Sequence, residues 1–240
     1  SILSGKKEGL GKALLRGMTY AVGTLKADII VQIDADLSHD PKHAPEFLQA
    51  LDHGADFVVG SRYILGGSIP QNWGVHRKIY SIVGNAIVRW GLGFLQVHDW
   101  TGGYRAYHRK YYELAKHKVA AYGGYVFQIA FLYNAFLAGA CVVEVPIQFT
   151  DRKYGRSKIA PMEYIRDILW YVFSSRFKRA VQGAFGKFAV VGAIGFIVNT
   201  LVLEVVVYVG FHPTIGSVVG AEAAIVSNFF LNNAWTFSDR

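Results

Sequence analysis

The stretch of residues 29–41 constrains the fold of this chain more than any other. An apolar, largely β-branched run over residues 29–33 ends abruptly at Asp34 and Asp36, and Pro41 follows shortly after. This pattern predicts a buried strand that carries an Asp-x-Asp pair to the rim of a sheet. Residues two apart in extended backbone point the same way, so both carboxylates can face one hard cation. The alternative is that the two aspartates simply open a turn before Pro41.

The segments around this strand predict a parallel α/β sheet. Apolar positions over residues 10–25 keep helical spacing, Pro41 and Gly54 bracket a second helix, and residues 57–60 have the pattern of a further strand. Strand, helix and strand in succession predict parallel strands joined by a right-handed crossover. Ligands of such sheets gather at the carboxyl ends of the strands. Four polar residues fall there: Asp34, Asp36, Ser61 and Arg62.

Further polar residues lie on a predicted helix and in a turn. The helix over about residues 75–90 carries Arg77 and Ser81 on one face, because the two residues are four positions apart. A polar turn within residues 99–105 leads into a short strand. The remaining elements predicted before residue 150 are a helix around 126–137 and a strand over 142–149.

The net charge of +8 is concentrated just before an apolar carboxyl-terminal segment. Between Arg152 and Lys187 there are nine Lys and Arg residues against two acidic ones. Because this cluster directly precedes an apolar span, it predicts anionic headgroups and phosphate as partners, and not nucleic acid. Cys141 is the single cysteine of the sequence, which excludes an internal disulfide and a Cys-based metal site.

Three segments predict attachment to a membrane. A basic amphipathic helix over about residues 161–178 carries three aromatic side chains suited to a membrane interface and not to a core: Trp170, Tyr171 and Phe173. Residues 188–211 are long and apolar enough to span a bilayer, and residues 215–231 form a shorter span rich in small residues. Lys and Arg crowd the flank before the first span and are absent between the spans. The preceding domain is therefore expected on the cytoplasmic side.

Six motifs occur in the order typical of the polyprenyl (dolichol) phosphate mannose synthases, and the chain resembles that family. The motifs are residues 9–13, 34–41, 60–63, 101–106, 144–147 and 151–158. The resemblance implies an α/β fold, the glycosyltransferase A (Rossmann-like) domain of glycosyltransferase family 2, without its first strands. Residues 187–237 resemble the start of a GtrA-like membrane domain, which usually has four spans.

The resemblance also implies a division of the chain into three parts. These are a partial glycosyltransferase catalytic domain over 1–158, a region of amphipathic interface helices over 159–185, and a partial GtrA-like domain with two transmembrane helices over 186–240. The chain is expected to be truncated at both ends. Relatives begin with strands that hold the nucleobase and ribose of the donor, and without them the sequence leaves the donor base open.

The activity implied by the resemblance is inverting transfer of mannose from GDP-mannose to a polyprenyl (dolichyl) phosphate. The reaction would depend on Mg²⁺ or Mn²⁺ and take place at the cytoplasmic face of a lipid bilayer. One alternative is transfer of glucose from UDP-glucose to polyprenyl phosphate, because related synthases share the metal motif and the membrane appendage. Ala130 stands where an acidic residue is common in relatives, which leaves the identity of the sugar open. A second alternative is a non-catalytic protein that binds or translocates lipid-linked sugar.

On the donor side, the resemblance implies roles for five residues. Asp34 and Asp36 match the motif that binds the metal and the donor diphosphate, and Asp36 is expected to be catalytic. Ser38 stands where some relatives have a glutamine that is a further metal ligand. Asp99 and Gln128 fall in segments that line the donor-sugar site, although Asp99 could equally be a turn or cap residue.

On the acceptor side, the resemblance again implies roles for five residues. Arg62, Arg77 and Ser81 match the positions that hold the acceptor phosphate, and both arginines are expected to be catalytic. Arg152 and Lys158 match a basic loop that closes over donor and acceptor. The structural alternatives are a solvated loop cation for Arg62, an exposed helix face for Arg77 and Ser81, and a topology signal for Arg152 and Lys158.

Overall fold

A computed structural model of the chain describes residues 1–151 and 161–237. Within it, the chain divides into two compact units, Ser1–Phe173 and Ser174–Arg240. Residues 152–158 of the predicted basic loop, which include Arg152 and Lys158, lie outside the described residues.

The first unit is built on a mixed sheet of four strands, counted over the described residues, in the order β1-β3-β2-β4. The strands are β1 (Ile29–Gln32), β2 (Phe57–Ser61), β3 (Arg105–His108) and β4 (Val142–Pro146). Strands β2 and β4 pair in parallel, whereas β3 runs antiparallel to both β1 and β2. The prediction of a parallel sheet is therefore wrong at its centre. β1 and β2 do run in the same direction, but β3 from a later part of the chain separates them.

Six helices accompany the sheet in the described part of this unit. They are α1 (Leu10–Gly23), α2 (Ala44–Asp52), α3 (Val75–Leu92), α4 (Arg109–Val119), α5 (Gly124–Leu137) and the start of α6 (Pro161–Gln182). A 3-10 turn at Pro41–His43 leads into α2, and the Asp40 side chain caps it by accepting a hydrogen bond from the backbone N–H of Lys42. Helix α3 stops at Gly93, whose left-handed conformation, with φ of 81°, suits a residue without a Cβ.

Apolar side chains cover both faces of the sheet, as its central strands require. On one face Val58 packs with Phe47 and Leu51 of α2, and on the other Phe57 packs with Phe131 of α5. Helix α5 is apolar on nearly every side and is correspondingly buried. This two-sided core holds the carboxyl ends of β1 and β2 in place.

Helix α6 corrects one sequence expectation. Trp170 and Phe173 are exposed, which suits the predicted interface role, but Tyr171 is buried and packs edge-on against the rings of Tyr122 and Tyr133. Helical periodicity explains the difference, because position 171 shares a face with the buried Ile168. The prediction that Tyr171 faces a membrane interface is therefore wrong.

The second unit contains two long apolar helices, α7 (Ala184–Tyr208) and α8 (Pro213–Leu231), followed by a π-helical turn at Asn232–Thr236. By length and composition, Ala184–Tyr208 and Pro213–Thr236 could each cross a membrane, with mean hydropathies of 2.3 and 1.5 over an 18-residue window. The two helices pack through glycines that face asparagines, Gly195 against Asn228 and Gly220 against Asn199. Small residues let the two backbones approach closely.

Candidate functional site

The two aspartates of the Asp-x-Asp motif lie just beyond the end of β1. The strand ends at Gln32, so Asp34 and Asp36 occupy a turn and not the extended backbone that the sequence predicted. The turn is fixed locally, because Oδ1 of Asp36 accepts hydrogen bonds from both N–H and Oγ of Ser38, at 3.1 and 2.6 Å. Leu37 adopts a φ of 65°, a left-handed conformation that costs energy in a residue other than glycine.

The buried side chain of His39 packs beneath this turn in the core and is hydrogen-bonded to its backbone. Its buried ring lies between the rings of Tyr104 and Phe149, with centroids 5.3 and 5.2 Å away. Nδ1 of His39 accepts a hydrogen bond of 3.3 Å from the backbone N–H of Asp34. Burial lowers the pKa of His39 and outweighs the opposing charge of Asp34. The neutral ring can thus act as a hydrogen-bond acceptor that holds Asp34 in place.

The aspartate turn fits a divalent cation that is bound together with a diphosphate. Asp34 and Asp36 supply the hard oxygen ligands that Mg²⁺ and Mn²⁺ prefer. No group of three or more His, Cys, Asp or Glu side chains suited to a metal occurs among the described residues. Two carboxylates alone leave most coordination positions for phosphate oxygens and water, as Mg²⁺ sites commonly do. The Ser38 hydroxyl donates to Asp36, so it orients that carboxylate.

Arg62 follows directly after β2 and is held by the buried carboxylate of Asp99. The guanidinium donates from Nε and Nη2 to Asp99 at 2.7 and 2.8 Å, and Nη2 also donates to Oγ1 of Thr101 at 2.9 Å. Asp99 is fully buried and accepts a further hydrogen bond from the backbone N–H of Gly102. Nη1 of Arg62 makes no hydrogen bond to any residue that the structure describes. This pairing fixes the plane of the guanidinium, which is part of the pocket lining.

The two charges of this pair stabilise each other. Burial opposes ionisation of Asp99, but the charge and hydrogen bonds of Arg62 outweigh it and lower the pKa of the carboxyl group. Burial likewise opposes the charge of Arg62, and Asp99 reverses the effect so that the pKa of Arg62 is raised. Both groups are therefore ionised at neutral pH.

Arg77 and Ser81 lie one turn apart on α3, as their spacing predicted. Arg77 is about one third exposed, stacks over the ring of Trp73 at 3.9 Å and contacts the carboxylate of Asp151 at 3.3 Å. Oγ of Ser81 is hydrogen-bonded to the phenol of Tyr63 at 2.5 Å. Arg77 is thus held by a stacking contact and a partly exposed ion pair that can exchange partners.

A single pocket of the first unit brings several of these side chains together. It has about 830 Å³ of open space, part of it continuous with solvent, and its lining includes Asp34, Arg62, Arg77 and Ser81. Five aromatic residues that the sequence analysis missed also line it: Trp73, Tyr80, Tyr125, Phe149 and Tyr164. Their aromatic type alone did not distinguish them from core residues. The pocket lining therefore combines a carboxylate, two arginines and several aromatic rings.

Three predicted residues do not line the pocket: Asp36 of the aspartate turn, and Asp99 and Gln128, which lie behind the pocket wall. Asp99 is occupied by Arg62, and Gln128 is buried, with a backbone carbonyl that accepts a 2.6 Å hydrogen bond from Arg105. Arg105 is itself fully buried and also donates to the carbonyl oxygens of Trp100 and Gly102. Burial lowers the pKa of Arg105 to about 10. Arg105 thus holds the loop whose residues Thr101, Gly102 and Gly103 line the pocket.

The comparisons with family models divide the sequence in the same way. Residues 2–114 match the model for glycosyl transferase family 2, and residues 187–240 match the GtrA/DPMS transmembrane domain. One region of the chain is therefore similar to glycosyl transferase family 2 and the other to the GtrA/DPMS transmembrane domain, in agreement with the resemblance that the motifs predicted. The membrane model covers both apolar helices of the second unit and indicates association with a membrane.

Two relatives with named activities are similar to this chain. The chain is 41% identical over 154 residues to polyprenol monophosphomannose synthase of Mycolicibacterium smegmatis, covering 64% of this chain and 57% of that protein. It is 32% identical over 243 aligned residues to dolichol-phosphate mannosyltransferase of Pyrococcus furiosus, covering 98% of this chain and 64% of that protein. The chain therefore spans somewhat less than two thirds of the length of these relatives.

A solved structure confirms the fold class. Glucosyl-3-phosphoglycerate synthase from Mycobacterium tuberculosis, crystallised with Mn²⁺, UDP-glucose and phosphoglyceric acid, matches with a TM-score of 0.50 and 21% identity. The match covers 71% of this chain and 56% of that one. At this identity the likeness shows the fold alone, which is the glycosyltransferase A type that the resemblance implied.

Proposed function

We propose that this chain transfers mannose from GDP-mannose to a polyprenyl (dolichyl) phosphate, with inversion at the sugar and with Mg²⁺ or Mn²⁺ as cofactor. The observation that carries the proposal is the single pocket shared by Asp34 of the aspartate turn and by Arg62, Arg77 and Ser81. An anionic donor and an anionic acceptor need such a pairing of a metal site with fixed cations. The names of the two relatives support mannose as the sugar and a lipid phosphate as the acceptor.

The two arginines of the pocket suit a phosphate nucleophile. An acceptor phosphate is already anionic, so it needs positioning more than deprotonation, and a dedicated general base is dispensable. Arg62 and Arg77 would hold that phosphate through charge-assisted hydrogen bonds, with Ser81 as a further donor. One phosphate oxygen would then attack the anomeric carbon on the face opposite the leaving GDP, which inverts its configuration.

The aspartate turn suits a nucleoside diphosphate. Asp34 and Asp36 would hold the divalent ion, which when bound neutralises the charge that develops on the leaving diphosphate. Ser38 and His39 would keep the two aspartates in place through the hydrogen bonds described above. Gly103 leaves room beside the Asp34 carboxylate, because it has no side chain.

Four further assignments remain parts of this proposal. The resemblance placed Asp99 and Gln128 at the donor sugar; in place of direct contact, Asp99 would act through Arg62 and Gln128 would support the pocket wall from behind it. Arg152 and Lys158 belong to a basic loop that closes over donor and acceptor. The basic residues that precede the two apolar helices favour the cytoplasmic face of the bilayer for the catalytic domain.

Product formation in liposomes tests the proposal directly. The chain is placed in liposomes that contain polyprenyl phosphate and Mn²⁺, with either GDP-mannose or UDP-glucose, and lipid-linked sugar is measured by mass spectrometry. We expect mannosylated lipid from GDP-mannose and none from the Asp36→Ala variant. Asp167→Asn, an exposed carboxylate on α6, serves as a control that should keep full activity.

Each other outcome contradicts the proposal in its own way. Product from UDP-glucose alone would assign a polyprenyl phosphate glucosyltransferase. The absence of product from both donors, together with retained binding of lipid-linked sugar, would assign a non-catalytic binding or translocating protein. Full activity of the Asp36→Ala variant would contradict the proposed role of Asp36 in holding the divalent ion.

A further inference from the structure

Glu144 of β4 has a buried carboxylate whose hydrogen bonds converge on one short turn. Its side chain is 6% exposed, and Oε1 accepts hydrogen bonds from the backbone N–H groups of His98 and Asp99, both at 2.9 Å. Oε2 lies 2.8 Å from Nδ1 of the His98 ring. A buried carboxylate must be satisfied in this way to be tolerated. Glu144 therefore fixes the backbone position of residues 98 and 99.

The turn that Glu144 fixes is the one that holds Arg62. The carboxylate of Asp99 accepts hydrogen bonds from the backbone N–H, Nε and Nη2 of Arg62, at 3.1, 2.7 and 2.8 Å. These contacts connect Glu144 to the backbone of Asp99, then to the Asp99 carboxylate, and finally to a guanidinium in the pocket. A displacement of the turn would carry the guanidinium with it, because two parallel hydrogen bonds fix its orientation.

We propose that Glu144 is a positioning residue for the acceptor-phosphate subsite, acting on Arg62 through Asp99. The inference rests on the proposed function, since it requires that Arg62 binds the acceptor. It assigns Glu144 no contact with either substrate. The donor is bound at the aspartate turn, so loss of this positioning should weaken acceptor binding and leave donor binding unchanged.

Asp56 offers a control for a purely structural role of a carboxylate. It lies just before β2 and, like Glu144, accepts a backbone hydrogen bond that joins two segments of the sheet. Its Oδ2 accepts a hydrogen bond of 3.0 Å from the backbone N–H of Cys141, and Oδ1 lies 2.7 Å from Nζ of Lys110. Asp56 lies outside the pocket lining. Asp56→Ala therefore reports what the loss of a carboxylate tether does to the sheet alone.

Two conservative variants of Glu144 distinguish the effect of side-chain length from the effect of charge. Glu144→Asp keeps the charge but retracts the carboxylate by one methylene, about 1.5 Å. Glu144→Gln loses the charge but keeps an oxygen where Oε1 accepts both backbone N–H groups, and its amide can donate to Nδ1 of His98. If Glu144 acts by position, the glutamine variant should resemble the wild type and the aspartate variant should not.

Steady-state kinetics in the liposome assay test the inference. We expect Glu144→Asp to raise the KM for polyprenyl phosphate about 10- to 100-fold, with the KM for GDP-mannose unchanged. Glu144→Gln should stay within about threefold of the wild type for both substrates, and Asp56→Ala should leave both KM values unchanged. Melting temperatures of all variants are compared in parallel.

The contradicting outcomes are distinct from a failure of the proposed function. An unchanged acceptor KM in Glu144→Asp, or an equal rise of both KM values, would overturn the positioning role. A defect in Glu144→Gln without one in Glu144→Asp would show that charge and not position is required, and would also overturn it. If the wild-type chain forms no mannosylated lipid, it is the proposed function that fails.

Discussion

The carboxylate of Asp34 lies directly against the backbone of Gly103. A Cβ atom at position 103 would stand 3.2 Å from Oδ1 and 3.3 Å from Oδ2 of Asp34, closer than such atoms normally approach. The loop cannot easily move away, because Gln32 donates a hydrogen bond of 2.9 Å to the carbonyl oxygen of Gly103. Asp34 is held as well, by His39. The space for the carboxylate thus depends on the absence of a side chain at position 103.

Gly103→Ala should therefore impair metal use more than stability. The backbone of Gly103 lies outside the left-handed region, so alanine is allowed there and the added methyl displaces the Asp34 carboxylate by a few tenths of an ångström. We expect the Mn²⁺ concentration for half-maximal product formation to rise about tenfold. Gly123→Ala is the control, because a Cβ there has open space. Equal effects of the two substitutions would contradict the proposed metal site.

Asp99→Asn should destabilise the first unit strongly. The substitution leaves the guanidinium of Arg62 buried beside a neutral group, and breaking a buried pair in this way costs about 3–5 kcal/mol. Urea unfolding in detergent, followed by circular dichroism, measures the loss. The same substitution in the exposed Arg166–Asp167 pair should cost less than about 1 kcal/mol.

A double-mutant cycle tests whether Arg62 and Asp99 act as a pair. Arg62→Met combined with Asp99→Asn removes both buried charges, so the double variant should be less destabilised than the sum of the single variants. The coupling energy is expected at about 1–3 kcal/mol. Additive single effects would mean that the two side chains contribute independently.

The stabilising effect of Asp99 should disappear in acid. Because Arg62 lowers the pKa of Asp99 below its ordinary value of 3.8, the folded chain binds this proton less tightly than the unfolded chain. The contribution is therefore complete above the unfolded pKa and is lost as the pH falls through the folded value. The stability difference between wild type and Asp99→Asn should stay constant near neutral pH and shrink only below about pH 4. Shrinkage that already begins near pH 6 would indicate a raised pKa instead.

Gly220→Ala should loosen the pair of apolar helices. A Cβ at position 220 of α8 would lie 2.6 Å from the backbone carbonyl oxygen of Asn199 in α7, so the helices would have to move apart. Overpacking of this kind costs about 1–3 kcal/mol. Unfolding by dodecyl sulfate in detergent micelles measures the effect. Gly192→Ala in α7 has open space around its Cβ and should unfold like the wild type.

Local patterns predicted much of the fold. The β-branched run of β1 and the helical spacing of α1 depend on neighbouring residues, and both elements occur close to their expected bounds. The insertion of β3 between β1 and β2 could not be predicted in the same way. Strand order depends on pairings between distant residues, such as Val31 with Ala106, which leave no periodic signal in the sequence.

In the candidate site, too, local patterns predicted the positions of single residues but not the contacts between distant ones. The four-residue spacing of Arg77 and Ser81 was sufficient to place both on one face of α3. The position of Arg62 at the sheet edge was predictable because it directly follows the strand β2. The pairing of Arg62 with Asp99 joins residues 37 positions apart and was not predictable from local pattern. Tyr164, one of the aromatic residues that line the pocket, comes from α6 at a still greater distance along the chain.

The ion pair between Arg77 and Asp151 has a consequence for which lipids the pocket admits. With Asp151 against it, Arg77 is already occupied by an anion before any acceptor arrives. An incoming phosphate can displace a carboxylate from a partly exposed arginine, because it offers more charge and more acceptor atoms. A free polyprenol shares the same hydrocarbon tail but has no anion to exchange. We therefore expect the dephosphorylated lipid to compete poorly with polyprenyl phosphate, because it cannot displace Asp151 from Arg77.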